Sequence, residues 1–222
     1  MRTVVALIII SFIAGSAVAQ QPGSREELYC QPVADYTKAS GPTGDTYSEK
    51  ADDIPDALAG QVISTVTFYV NVYDGDCVWE APDGFAVNFY FSQCPPGQTA
   101  DLTYAYDWSE LSPELVAEVF PCYLVYHVRA VLPETVVITT EMSLGFSPIT
   151  SWGPGEWPSA GVRATERGEF YGCGSQWYDD ALHTRWEQGS EPYYYTDIAY
   201  CLEGYTVPNE TLDWGEVRAL YR

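Results

Sequence analysis

The sequence predicts an all-β chain: an antiparallel, jelly-roll-like β-sandwich with a short helix and a C-terminal helical tail. Three observations carry that prediction. Several short stretches alternate apolar and polar side chains and are rich in β-branched and aromatic residues. Clusters of Gly, Pro and Asp separate them. The stretches follow one another closely, with little helical pattern between them, as antiparallel strands do and βαβ units do not.

The chain of 222 residues opens with an export signal at 1–19. Arg2 supplies the positive start, 4–14 is an almost unbroken apolar run, and Ser16-Ala17-Val18-Ala19 is a small-residue cleavage site that leaves Gln20 as the first mature residue. The apolar run is too short to cross ~30 Å of hydrocarbon as a helix, and no other stretch is long and apolar enough. A secreted, cell-surface or periplasmic protein with no membrane span after signal removal is expected. Its residues 20–45 are rich in Pro and Gly and read as an arm or linker, 46–205 as the sandwich domain, and 206–222 as the tail.

Within the domain, 65–73 sets Val66, Phe68, Val70 and Val72 on one face, and 85–92 sets Phe85, Val87, Phe89 and Phe91 on one face. These two read as a hairpin with a long loop between them. Further strands are expected at 99–106, 123–131, 135–144 and 197–202, with Leu132-Pro133-Glu134 as a tight connection. Ser112-Pro113-Glu114 is a helix start signal and Pro121 a stop, so a short helix is expected between them. At the C-terminus Asn209 caps a second helical pattern, with Glu210 and Asp213 early and Arg218 and Arg222 late.

Six cysteines, Cys30, Cys77, Cys94, Cys122, Cys173 and Cys201, follow the signal. An even number in an exported chain reads as up to three disulfides, and their wide spacing lacks the paired clusters of a zinc site. On the hairpin reading, Cys77 lies in the loop and Cys94 at the far end of the second strand. That disfavours Cys77–Cys94 and makes Cys122 the better partner for Cys77.

The segments Ala51-Asp52-Asp53, Ile63-Ser64-Thr65-Val66-Thr67-Phe68-Tyr69, Pro82-Asp83-Gly84-Phe85-Ala86-Val87-Asn88-Phe89-Tyr90 and Asp197-Ile198-Ala199-Tyr200-Cys201-Leu202-Glu203-Gly204 carry a resemblance. Together they resemble an exported bacterial module of large secreted or surface proteins, one that begins Ala-Asp-Asp-Phe, has a Pro-Asp-Gly-Phe strand and ends in an Asp-Leu-Ala-Phe strand. The resemblance spans about 50–204 and implies a β-sandwich with no catalytic residues to transfer. Here Ile54-Pro55 stands where the module has Phe and its following strand residue.

With Arg2 removed the mature chain carries 9 basic and 31 acidic residues, a formal charge of −22. That field repels nucleic acid and anionic lipid, and no nucleic-acid partner is expected. Two ligand sites are candidates. The loop bearing Trp152, Glu156 and Trp157, with Trp177 beyond it, supplies flat rings and a carboxylate of the kind that hold a sugar. Asp74, Asp76, Glu80 and Asp83 fall in one loop and could hold a structural calcium ion, which takes about six to eight oxygen ligands. No other cofactor is expected.

Catalytic signals are weak. With so many carboxylates a pair at glycosidase spacing arises by chance. The two histidines, His127 and His183, have no nucleophile elbow, since Gly174-Ser175 lacks the flanking pattern. The expected function is a non-enzymatic exported structural or binding module whose partners are glycans or other surface proteins. A carbohydrate-binding module using the aromatic loops is the alternative, and a secreted glycan hydrolase the second.

Overall fold

The computed structural model describes residues 25–33, 48–73, 77, 80–91, 99–120, 122–151, 159–163, 176–179, 186–188 and 198–206. Twelve strands run through them: β1 (Glu26–Cys30), β2 (Ser48–Asp53), β3 (Val62–Tyr73), β4 (Gly84–Tyr90), β5 (Leu102–Asp107), β6 (Glu114–Phe120), β7 (Tyr123–Val137), β8 (Ser143–Ile149), β9 (Ser159–Val162), β10 (Gln176–Asp179), β11 (Trp186–Gln188) and β12 (Tyr200–Tyr205). They form two six-stranded sheets. One has the order β1-β12-β3-β7-β6, with β9 also paired to β3, and the other the order β11-β10-β2-β8-β4-β5. Every pairing is antiparallel. The chain is an all-β sandwich, as its alternating pattern requires. The expected C-terminal helical tail lies outside the described residues.

The two sheets meet on the faces that the alternation marks as apolar. Val66, Phe68, Val70 and Val72 of β3 face Phe85, Val87 and Phe89 of β4 and Leu144 and Phe146 of β8, and all are buried. The Phe68 ring lies 4.3 Å from that of Phe146 and 5.7 Å from that of Phe85. Removing one such ring costs about 3–5 kcal/mol.

The expected hairpin of 65–73 with 85–92 does not form, because β3 and β4 belong to opposite sheets. β3 pairs instead with β7 along its whole length, from Val62↔Val137 to Tyr73↔Tyr123. Cys77 follows the end of β3 and Cys122 precedes the start of β7, so both lie at the same end of this ladder. They are joined in a disulfide, the pairing expected, although through a different neighbour. A second disulfide links Cys30 of β1 to Cys201, directly opposite on β12. β1 therefore turns part of the expected N-terminal arm into an edge strand. Cys94 and Cys173 lie outside the described residues.

The tight connection expected at Leu132-Pro133-Glu134 is absent, and β7 continues through it to Val137. Between Thr65↔Val131 and Ile63↔Val136 the register slips, leaving several residues of β7 opposite Ser64 alone. Pro133 falls inside this bulge, where its missing N–H breaks no ladder hydrogen bond. The next strand begins only at Ser143.

The expected helix after Ser112 is β6, an edge strand. A helix of that length is marginal by itself, whereas Val116, Val119 and Phe120 suit a strand and the open edge of β7 offers it partners. The helical turn comes earlier, as a 3-10 turn at Trp108–Leu111, where Glu110 Oε2 accepts from the Asp107 N–H at 2.9 Å. Ser112, with φ of 48°, ends it in the left-handed region.

Candidate functional site: buried charge on strand β2

β2 reads Ser-Glu-Lys-Ala-Asp-Asp, a composition that belongs on a surface. It lies inside sheet β11-β10-β2-β8-β4-β5, flanked by β10 and β8, and Glu49, Lys50 and Asp52 are all buried. Alternation sends Glu49 to the outer face of the sheet and Lys50 and Asp52 to the inner one.

On the outer face Glu49 reaches across β8 to β4. Its Oε1 accepts from Asn88 Nδ2 at 2.8 Å, and its two oxygens lie 3.0 and 2.9 Å from the Tyr90 hydroxyl. Asn88 Nδ2 also donates to Ser147 Oγ at 3.2 Å, and Asn88 Oδ1 accepts from Thr103 Oγ1 at 2.7 Å. One polar strip thus crosses β2, β8, β4 and β5. Gly145 makes the crossing possible, because a Cβ there would overlap Glu49 Oε1. Burial pushes the Glu49 carboxyl up to about 7, against the opposing pull of hydrogen bonds from Asn88, Tyr90 and Ser147.

On the inner face Lys50 lies opposite Phe146, and burial pulls its ammonium down to about 8. Asp52 Oδ2 accepts from the Ile198 N–H at 2.7 Å and its Oδ1 from the Asp53 N–H at 2.9 Å, which ties the entry of β12 to the facing sheet. Tyr200 adds a second tie, its hydroxyl donating to Asp53 O at 2.7 Å. Beside it, Gln31 Nε2 donates to the Tyr29 hydroxyl at 2.7 Å, and the Tyr29 and Tyr200 rings lie 5.7 Å apart. This flank of the interior is polar and aromatic together.

The outer face of the other sheet carries a separate charged group. Glu203 Oε2 accepts from Arg129 Nη2 at 2.9 Å and lies 3.7 Å from Arg25 Nε, which donates to Ser64 Oγ at 2.9 Å. Arg25 also donates to Thr65 Oγ1 and Ser64 O. These bonds fasten the start of β1 to β3. The Tyr69 and His127 rings pack 5.0 Å apart on the same face. Arg163 is buried 4.8 Å from the centre of the Tyr123 ring, a cation–π contact.

Of the ligand and metal candidates read from the sequence, Trp177, Glu80 and Asp83 lie among the described residues. Trp152, Glu156 and Trp157 lie outside the described residues, as do Asp74 and Asp76. Trp177 is on β10, paired in register with Lys50 and Glu187. Glu80 and Asp83 are exposed, and the Asp83 carbonyl accepts from the Trp108 N–H at 2.8 Å. Among the described residues one grouping of metal-donor atoms occurs, Glu27 with Cys30 and Cys201, and both of its sulfurs are consumed in the disulfide. No helix of the described residues is long and apolar enough to cross a membrane.

Comparison with protein-family models, curated proteins and solved structures returns no match. The buried groups of β2 are absent from the sequence candidates. Glu49 and Lys50 stand in a polar segment with no apolar alternation, so no local signal marks them as interior. Their burial follows from strands far along the chain, Gly145 and Asn88 for Glu49 and Phe146 for Lys50.

Proposed function

We propose that this chain acts outside the cytoplasm as a non-enzymatic structural or binding module. The observation that carries the proposal is the Cys30–Cys201 disulfide, which staples the first strand to the last across a sequence separation of 171. Such bonds form and persist in oxidising compartments, in keeping with an export signal at 1–19. The Cys77–Cys122 bridge supports the same setting. The chemistry of β2 favours a structural use: Asp52 receives backbone N–H groups and Glu49 receives Asn88 and Tyr90, so both carboxyls join strands.

The test is expression of the full chain in a secreting host, followed by mass spectrometry of the N-terminus, alkylation of native thiols, and an activity screen on glycans and esters. The proposal expects an exported chain beginning at Gln20, with Cys30, Cys77, Cys122 and Cys201 protected from alkylation and no turnover. Retention in the cytoplasm with those thiols free, or hydrolysis of any substrate, contradicts it.

A further inference from the structure

Two oxygens of one carboxyl face one hydroxyl at Glu49 and Tyr90, at 3.0 and 2.9 Å. A hydroxyl carries a single proton. If Glu49 is ionised, the single Tyr90 proton is shared between the two oxygens in a weaker three-centred bond. If Glu49 is protonated, Oε2–H donates to Tyr90 Oη while Tyr90 O–H donates to Oε1, and both contacts are satisfied. Oε1 takes the Asn88 N–H in either state.

Burial favours the protonated form, and the hydrogen bonds from Asn88, Tyr90 and Ser147 offset it only in part. From β8 the site meets Gly145 and Ser147, from β4 Asn88 and Tyr90, and from β5 Thr103 through Asn88. Tyr178 is the register partner of Glu49 on β10. On β2 itself Lys50 and Asp52 project to the opposite face, and Asp53, on the same face as Glu49, stands four residues along the strand. Asp101, accepting from the Phe91 N–H at 2.7 Å, is exposed beyond Tyr90. Among these described groups none is a cation facing Glu49. An ionised carboxylate buried with no counter-charge among the described groups on its face is costly.

β2 is also the only described link between β8 and the β10–β11 pair. We propose that Glu49 is a proton-operated latch: protonated, it fastens β2 to β4 across Gly145, and ionised, it frees β2 and the β10–β11 pair from β8. An acidic medium holds the sheet closed, and a rise through neutrality opens this side of it.

Hydrogen exchange of the oxidised full chain at pH 5.5 and 8.5, corrected for intrinsic rates, tests the latch. The amides of β2 and of β8 from Ser143 to Ser147 are expected to lose protection about thirty-fold at the higher pH. That ratio is what a carboxyl titrating at about 7 when latched and 4.5 when released gives. Glu49→Gln, which keeps a donor toward Tyr90, is expected to hold its protection at both pH values. Tyr90→Phe is a second probe that needs no charge change, and it is expected to show at pH 5.5 the low protection that the wild type shows at pH 8.5. Equal wild-type protection at both pH values, loss in Glu49→Gln parallel to the wild type, or full acid-side protection in Tyr90→Phe each overturns the proposal.

Discussion

Glu49 occupies the space that any side chain on Gly145 would need, its Oε1 lying where the Cβ would be. The two residues belong to adjacent strands, β2 and β8, and the vacancy at one lets the other span to Asn88 and Tyr90. Gly145→Ala must displace the carboxyl from those partners and is expected to destabilise the fold by about 1–3 kcal/mol. In a Glu49→Ala background the same substitution is expected to cost at least about 1 kcal/mol less, a coupling measured by urea unfolding of the four proteins in the cycle. Additive effects would show that the two sites are independent.

A contrasting outcome is expected at Gly204 on β12. A Cβ there meets the Val62 backbone carbonyl rather than the end of a flexible side chain. Gly204→Ala is therefore expected to cost more than Gly145→Ala, and Glu49→Ala is not expected to relieve it. Thermal unfolding of the single and double variants separates the cases.

Stability is expected to pass through a trough near pH 7–8, to which two groups on β2 contribute. The folded Glu49 carboxyl holds its proton up to about 7 while the unfolded chain releases it near 4.5, so stability falls as pH rises through that window. The folded Lys50 ammonium loses its proton near 8 while the unfolded chain keeps it to 10.5, so stability rises again between those values. Each limb is on the order of 3 kcal/mol. Glu49→Gln is expected to flatten the acid limb and Lys50→Met the alkaline one in unfolding free energies measured from pH 4 to 10.

The Cys30–Cys201 staple closes nearly the whole chain into a loop. Replacing both cysteines with Ala is expected to cost on the order of 2–5 kcal/mol and to release β1 first, because among the described strands β1 pairs only with β12. Arg25 still binds Ser64 and Thr65, so the loss of protection should be greatest at the Cys30 end of the strand. Hydrogen exchange across Glu26–Cys30 reads this directly.

Some of this fold is legible in the sequence, and the reason is local. Val66, Phe68, Val70 and Val72 alternate because one face of β3 is core, and the same holds for β4 and for the first half of β7. What alternation does not report is which strand pairs with which. β3 and β4 are neighbours along the chain but partners across the interior, so alternation locates both strands without revealing that they belong to opposite sheets. Pro133 carried a turn signal that a bulge also satisfies, and Ser112-Pro113-Glu114 carried a helix signal that the free edge of β7 outweighed. The buried charges of β2 were illegible for a different reason. Glu49 is interior because residue 145 is glycine and residue 88 is asparagine, and no window along the sequence contains all three.

The central claim is that the carboxyl of Glu49 is buried, bonded to Asn88 and Tyr90, and carries its proton close to neutrality. The most direct measurement is the side-chain carboxyl ¹³C shift of Glu49 followed by NMR from pH 3 to 9, assigned by its loss in Glu49→Gln. A midpoint at about 7 is the predicted result. A midpoint near the ordinary 4.5 would contradict the account, because it would mean that the carboxylate is solvated and the strip from β2 to β5 does not enclose it.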